Sequence, residues 1–268
     1  MRRTVRRGHD RPVSARRQGT GSAQSAALRY VRGMTTTTHT GTEGRRIYLL
    51  AAHPHWRESR VNRRLLAAAR EVEGVDVNDL YTSYPDYAIN ADAERERLAR
   101  ADLLVLMHPI HWYSMPPLQK LWLDDVLRYG WAYGTGGTAL AGKALWLAAT
   151  TGGPEASYHP SSYNRYFFDA FLPPYEQTAA LCGMRFLPPL MLHGARTASA
   201  SEVDAHVDTF AQRLASYPDW PEIDALGDCP TCSVPAEDRP PPSDDDGPSL
   251  HRSLSDAIAR RTAAIEAV

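Results

Sequence analysis

The sequence predicts an α/β fold, a doubly wound parallel sheet of five strands with helices on both faces. Three observations predict it. Between residues 46 and 217, short apolar runs alternate with amphipathic stretches, strand then helix then strand. The runs are continuous rather than alternating, which suits strands buried on both faces. Residues that carry chemistry cluster directly after the first, third and fourth runs, at the strand ends where open α/β sheets place their ligands.

Taken in order, Arg46–Ala52 is the first strand. The helix after it sets Val61, Leu65, Ala68, Ala69 and Val72 on one stripe, with Ser59 as its expected N-cap. Val75–Leu80 is the second strand, and Tyr81–Tyr87, with Pro85, is a loop. Ala91–Arg100 is a charged helix whose acids and arginines read as its solvated face. Leu103–Met107 is the third strand. After Pro117, Leu118, Leu121, Trp122 and Val126 fall on one helical face running to about Arg128, and Gly130 ends it. Ala144–Ala149 is the fourth strand, Leu172–Cys182 a helix, and Phe186–Leu192 the fifth strand. Ser201–Tyr217 is the last core helix, with Ser201 as its expected cap.

The loop after the first strand reads His53-Pro54-His55-Trp56-Arg57-Glu58-Ser59-Arg60-Val61-Asn62. It delivers a helix N-terminus, where free N–H groups and the dipole favour an anion. His53, Ser59, Arg60 and Asn62 add donors and charge. Capping alone would also explain Ser59, and a lone histidine is more often structural. The loop after the third strand is HPIHWYSMPPLQKLW, residues 108–122. Trp112 and Tyr113 give flat apolar surface, and Pro116-Pro117 restrict the loop before anything binds. A core aromatic cluster is the plainer reading. After the fourth strand, Thr150-Thr151-Gly152-Gly153 lets backbone approach a ligand closely and supplies donors; a simple turn is the alternative.

Gly137–Lys143 spells the skeleton of a nucleotide-binding P-loop. Residue 144 is alanine, so the metal-binding hydroxyl is missing, and the segment leads into a strand rather than a helix. The glycine-rich stretch 130–142 reads instead as a mobile or interface loop.

The 268 residues carry a formal net charge of −1, which makes no case for nucleic acid. Arginine dominates the cations, only Lys120 and Lys143 being lysine, a bias that reads as compositional. Three cysteines, Cys182, Cys229 and Cys232, are too few for a disulfide framework and point to a reducing compartment. No run is long enough to cross a bilayer. Residues 1–44 read as a disordered basic and Thr-rich tail, with Met34 as an alternative start and no apolar stretch of a secretory signal. Residues 45–217 form the core domain. Within 218–268, Cys229 and Cys232 lack a second ligand pair for zinc, so no metal site is expected. Pro235–Pro248 reads as a flexible acidic linker and Ser249–Val268 as an amphipathic helix.

One loop offers an anion site, one a ring wall and one a polar ring edge. In a flavodoxin-like strand order all three lie around the switch point. Together HPHWRESRVN, HPIHWYSMPPLQKLW with GWAYGTGGTALAGK, and TTGGPEASY resemble the NAD(P)H:quinone oxidoreductase family of flavodoxin-like fold. Within it, the likeness is greatest to the ancillary flavoproteins of glutathione-gated potassium efflux. The resemblance covers about Arg46 to Tyr217. It implies bound FMN or FAD, with NADPH or NADH as substrate. His53 and Ser59, Arg60, Val61 and Asn62 match the flavin phosphate loop. Pro109, Ile110, His111, Trp112 and Tyr113 match the loop flanking the ring, and Thr150, Thr151, Gly152 and Gly153 its polar edge. Tyr158 matches a tyrosine that helps deliver protons. The family's partner histidine has no clear match; Asn164 lies near its spacing and His159 is only a neighbour. The resemblance further implies a homodimer, two-electron ping-pong transfer to a quinone-like acceptor, and a cytoplasmic protein, peripheral to the inner membrane face if it docks on a potassium-efflux antiporter. A regulatory ancillary subunit and a flavodoxin-like electron carrier are the alternative functions.

Overall fold

The structure, a computed structural model, describes residues 46–225. The tail over 1–44, the Cys229/Cys232 pair, the acidic linker and the C-terminal amphipathic helix lie outside the described residues. The strands are β1 (Ile47–Ala51), β2 (Val75–Asp79), β3 (Leu103–Pro109), β4 (Ala144–Thr150) and β5 (Arg185–Leu192). The helices are α1 (Asn62–Arg70), α2 (Leu80–Ser83), α3 (Ala91–Arg100), α4 (Pro117–Val126), α5 (Pro173–Leu181), α6 (Ala200–Ser216) and α7 (Pro221–Ala225).

All strand pairs are parallel, in the order β2-β1-β3-β4-β5. Ile47 lies opposite both Val75 and Leu103, and Ala144 opposite both Leu103 and Arg185. The strands therefore start level, and every carboxyl end emerges on one edge. Strands β1, β3 and β4 are buried along their whole length, as their unbroken apolar runs require. The two outer strands differ: β2 is only part-buried, and β5 carries Pro188-Pro189, which an edge strand tolerates because one side needs no donors. The register slips opposite Trp146 and Ala148, where β5 has one residue more than β4.

Two apolar layers flank the sheet. On one face Tyr48, Leu50, Leu104, Leu106 and Leu147 pack against Leu98 of α3, Leu118 and Trp122 of α4 and Tyr175 of α5. On the other, Leu49, Val105 and Trp146 meet Leu65 of α1 and Phe210 and Leu214 of α6. Trp146 stacks on Phe210 at 5.6 Å between centroids.

Several local expectations are corrected. Residue 61, not Ser59, is the N-cap of α1; Ser59 still serves the first turn, its Oγ accepting from the Arg63 N–H at 3.1 Å. The cap of α6 is Ser199 rather than Ser201. Only Ser199 stands three residues before Glu202, and the two close a reciprocal capping box. The expected loop at Tyr81–Tyr87 begins inside the short helix α2, because Leu80 is buried and Thr82 Oγ1 donates to Asp79 Oδ2 at 2.7 Å. Helix α4 stops at Val126, two residues short of Arg128. Lys143, at the opposite end of β4 from the chemistry-bearing loops, donates to the Ala99 and Ala101 carbonyls at the end of α3. That is a helix C-cap and not a phosphate grip.

The largest correction concerns α3. Its acids are not all solvated: Glu94 is 1 % exposed. Its carboxylate accepts from the Tyr48 hydroxyl, Asn78 Nδ2 (3.0 Å), Tyr84 Oη (2.6 Å) and Trp122 Nε1 (2.6 Å), with Arg97 3.6 Å away. All four partners donate, which suits an acceptor-only carboxylate. Glu94→Ala would leave those donors unpaired and is expected to cost about 3–5 kcal/mol. Glu94→Gln, which turns an N–H₂ toward them, should cost about 1–3 kcal/mol. Urea unfolding measures both; a loss below about 1 kcal/mol for the alanine variant would show that the network is replaceable.

Candidate active site

The site is built where the carboxyl ends of β1, β3 and β4 meet loops. After β1, His53 Nδ1 accepts from the His55 N–H at 3.1 Å, and its ring stacks on Trp56 at 5.2 Å. Trp56 Nε1 donates to Asp79 Oδ1 at 2.9 Å, which ties this loop to the end of β2. Asn62, the first residue of α1, is buried; its Nδ2 donates to Thr150 Oγ1 at 2.9 Å, while its Oδ1 has no partner. The Arg60 guanidinium donates to the Arg196 and Ala198 carbonyls at 2.8 and 3.0 Å. It therefore braces the β5–α6 loop rather than presenting an unengaged charge.

After β3, the Ile110 N–H donates to the Thr150 carbonyl at 2.7 Å, and His111 and Ser114 exchange two backbone bonds. The turn they close places Trp112 and Tyr113 at φ 48° and 63°. Glycine, asparagine and aspartate favour such left-handed positions. Two aromatic residues held there store strain next to a cleft. Trp112 is 92 % exposed. Tyr113 stacks on Phe171 at 5.2 Å and donates to Asn164 Oδ1 at 3.3 Å, and Asn164 Nδ2 donates in turn to Ser157 Oγ at 2.9 Å.

After β4, Thr150 and Thr151 are buried. At Gly153 a Cβ would stand 2.7 Å from Tyr163 Oη and 2.9 Å from Ser157 Oγ. Tyr158 packs edge-on against Phe168 at 5.2 Å. His159 is exposed, with Nδ1 on Ser161 Oγ at 2.7 Å and its ring against Phe167; it lines neither cavity described next.

These loops enclose a cleft of about 320 Å³. His53, Ser59, Arg60, Val61 and Asn62 line one side, Pro109, Ile110 and His111 a second, and Thr150, Thr151 and Gly152 a third. A slot of about 230 Å³, sharing Ile110, lies between Trp112, Tyr113, Gly153 and Tyr158, with Tyr163 and Asn164. Fourteen of the chemistry-bearing residues read from the sequence, and Tyr158, are thus brought together. Sequence reasoning missed the contribution of the β5–α6 loop. Ala195 and Arg196 line the cleft, and His193 stands behind Thr151. The signal was present, since His193-Gly194 directly follows a strand as the other loops do.

The cleft is rich in imidazoles. Burial, then the His111 and His55 charges, pull His53 down to about 4, against a smaller upward pull from Asp79. Burial, then His55 and Arg196, lower His111. Burial also raises the Tyr158 phenol, which a hydrogen bond with Thr151 opposes. Among the described residues no helix is long and apolar enough to cross a membrane, and no three His, Cys, Asp or Glu gather closely enough to hold a metal.

Residues 45–217 match the flavodoxin-like fold family. The chain belongs to that family. A solved structure named as a thermophilic tryptophan halogenase from Streptomycin violaceusniger is 38% identical to this flavodoxin-like protein, with a TM-score of 0.61, covering 63% of this chain and 98% of that one. The general stress protein 14 of Treponema denticola, solved in complex with FMN, is 35% identical, with a TM-score of 0.60 and coverage of 63% and 97%. A protein named NADPH-quinone reductase from P. pentosaceus shares the fold at 24% identity and a TM-score of 0.58, with coverage of 64% and 98%. The β2-β1-β3-β4-β5 order agrees with the flavodoxin-like expectation, and the β1/β3 boundary is its switch point.

An anion in the cleft would favour the protonated forms of His53 and His111, whose values are lowered without one. By linkage, anion binding takes up protons and tightens as pH falls. Sulfate, dianionic throughout, should therefore bind the full-length protein more tightly at about pH 5.5 than at about pH 7.5. Calorimetry in buffers of different ionisation enthalpy measures the proton uptake. His53→Ala should flatten the dependence; equal affinity at both pH values would contradict the charge assignment.

Proposed function

We propose that this protein is a flavin-dependent oxidoreductase that carries a hydride from NADPH or NADH to a quinone-like acceptor, with FMN bound in the cleft. The observation that carries the reading is the floor of the cleft: a buried Asn62 amide oxygen without a partner, between a helix N-terminus and a Thr-Thr-Gly-Gly strand end. The residues present fit FMN. The α1 N-terminus with Ser59 and His53 suits its phosphate, and Asn62 Oδ1 can accept from a hydroxyl of its polyol chain. Gly152 and Gly153 leave room at the ring edge. The FMN complex of the 35% identical stress protein supports the same cofactor here. The halogenase name is said of that relative alone.

Bound FMN supplies two-electron chemistry, accepting a hydride and donating it. The protein's own residues do the rest. His53, Ser59, the backbone at Arg60 and Val61, and Asn62 hold and orient the phosphate end. Pro109, Ile110 and His111 form one wall. Trp112, Tyr113 and Tyr158 line the slot that receives the second planar molecule and excludes water. Tyr158 Oη is the proton donor on that side. One slot serves donor and acceptor in turn, so turnover is ping-pong. The exposed rim of Trp112, Tyr166 and Phe167 supports a homodimer that covers it.

The test is an absorption spectrum of the full-length protein with FMN, then anaerobic NADPH or NADH, then a quinone. Bound flavin, bleaching and recovery are expected, with parallel double-reciprocal lines. Asn62→Ala should weaken FMN binding by about tenfold or more. A protein that takes up no FMN, or whose FMN neither nicotinamide bleaches, would overturn the proposal.

A further inference from the structure

Several polar groups at the end of β4 converge on one atom, Thr151 Oγ1. It donates to the Gly153 carbonyl at 2.8 Å. His193 Nδ1 lies 3.0 Å from the same oxygen. A hydroxyl has one hydrogen and two lone pairs. With its hydrogen on Gly153, the oxygen can only accept from His193, so Nδ1 carries the proton and Nε2 is the basic nitrogen of the neutral ring. The Tyr158 ring lies 5.4 Å from the imidazole, and turned toward Tyr158 the same hydroxyl would favour its phenolate. The Phe168 ring packs on His193 at 4.9 Å and on Tyr158 at 5.2 Å, so the three rings form one cluster. A titratable ring is thus held, half-buried, against a buried threonine that lines the cleft and beside Tyr158, which lines the slot.

We propose that His193 is the positioning residue that stores the proton of this site: it fixes Thr151 through Nδ1–H and re-protonates Tyr158 by way of the Thr151 hydroxyl. The inference rests on the reductase reading, since an acceptor that takes up a hydride also needs one proton. The step balances. Tyr158 Oη–H passes its proton to the acceptor oxygen, the Thr151 hydroxyl turns from the Gly153 carbonyl and replaces it, and His193 Nδ1–H replaces that. Nε2, having taken a proton from water, keeps it. Counting the proton taken from water, four X–H bonds break and four form, no electrons move, and the net transfer is one proton from solvent to acceptor; exchange with solvent then returns the ring to its Nδ1–H form. Glu155 is the charged group that faces the imidazole and favours its protonated form against burial; Tyr158 is the other titratable neighbour.

The test uses the full-length FMN-loaded protein. His193→Ala should slow quinone reduction roughly a hundredfold and raise its solvent deuterium isotope effect. It should leave FMN affinity and anaerobic bleaching by the nicotinamide within about twofold of the parent, since general acid–base catalysis acts only on the proton-transfer step. Added imidazole should restore the lost rate. Thr151→Val should reproduce the defect and Thr151→Ser should not. Independently of turnover, ¹⁵N shifts of His193 should report the Nδ1–H tautomer in the parent and a mixture in Thr151→Val. An unchanged quinone step in His193→Ala, a failure of imidazole to rescue it, or an Nε2–H tautomer overturns the relay. A parent that takes up no FMN overturns the reductase reading instead, and the relay with it.

Discussion

Glu94 brings a carboxylate into the apolar layer between the sheet and its helices, and each hydrogen bond that keeps it there comes from a different part of the chain. Tyr48 belongs to β1, Asn78 to β2, Tyr84 to the end of α2 and Trp122 to α4. Removing a carboxylate from water costs several kcal/mol, so the site holds only if all donors arrive together. That constraint fixes how α3 and α4 lie on the sheet. Helix α4 begins at Pro117, directly after the Ile110–Pro116 loop, so its placement also anchors the aromatic wall of the cleft. The network thus couples the packing of one apolar layer to the site at the sheet's edge.

The other layer reaches the site through α1 and α6. The Arg60 guanidinium holds the carbonyls of Arg196 and Ala198, so the loop after β1 and the loop after β5 are braced directly. Asn62 joins α1 to Thr150. Parallel strands that start level bring all these loops to one edge; the interior strands β1, β3 and β4 supply most of the cleft, and the loop after β5 adds Ala195 and Arg196. Left-handed backbone at Trp112 and Tyr113 is the local strain this arrangement supports, between Ile110, bonded to β4, and the Tyr113–Asn164–Ser157 chain.

Much of this was legible in the chain itself. Short continuous apolar runs suit strands buried on both faces, and the helices between them suit parallel crossovers, so the fold class was legible in the pattern. Residues placed directly after such runs had to emerge at the carboxyl edge, which is why His53, Asn62, Ile110 and Thr151 were recognisable as neighbours. The exceptions have particular causes. Glu94 sits in a helix rich in charge, with Arg97 three residues on, so its local pattern is that of a solvated face. Ser59 and Ser201 looked like caps because type and position suited them; spacing to Glu202 decided for Ser199, and the turn at Arg60–Val61 moved the start of α1.

The strand–helix alternation, the polarity of the sheet and the edge on which chemistry gathers can be read from the chain, because they depend on local hydrophobic period and chain direction. What each polar group at that edge faces is set by the assembled fold. Asn62 meets Thr150 across 88 positions, Arg60 meets Ala198 across 138, and His193 meets Thr151 across 42. Those pairings follow from the order β2-β1-β3-β4-β5 and from a one-residue slip in β5. Hydrogen-bond partners at such separations depend on the positions of whole elements, which no local pattern of residues encodes.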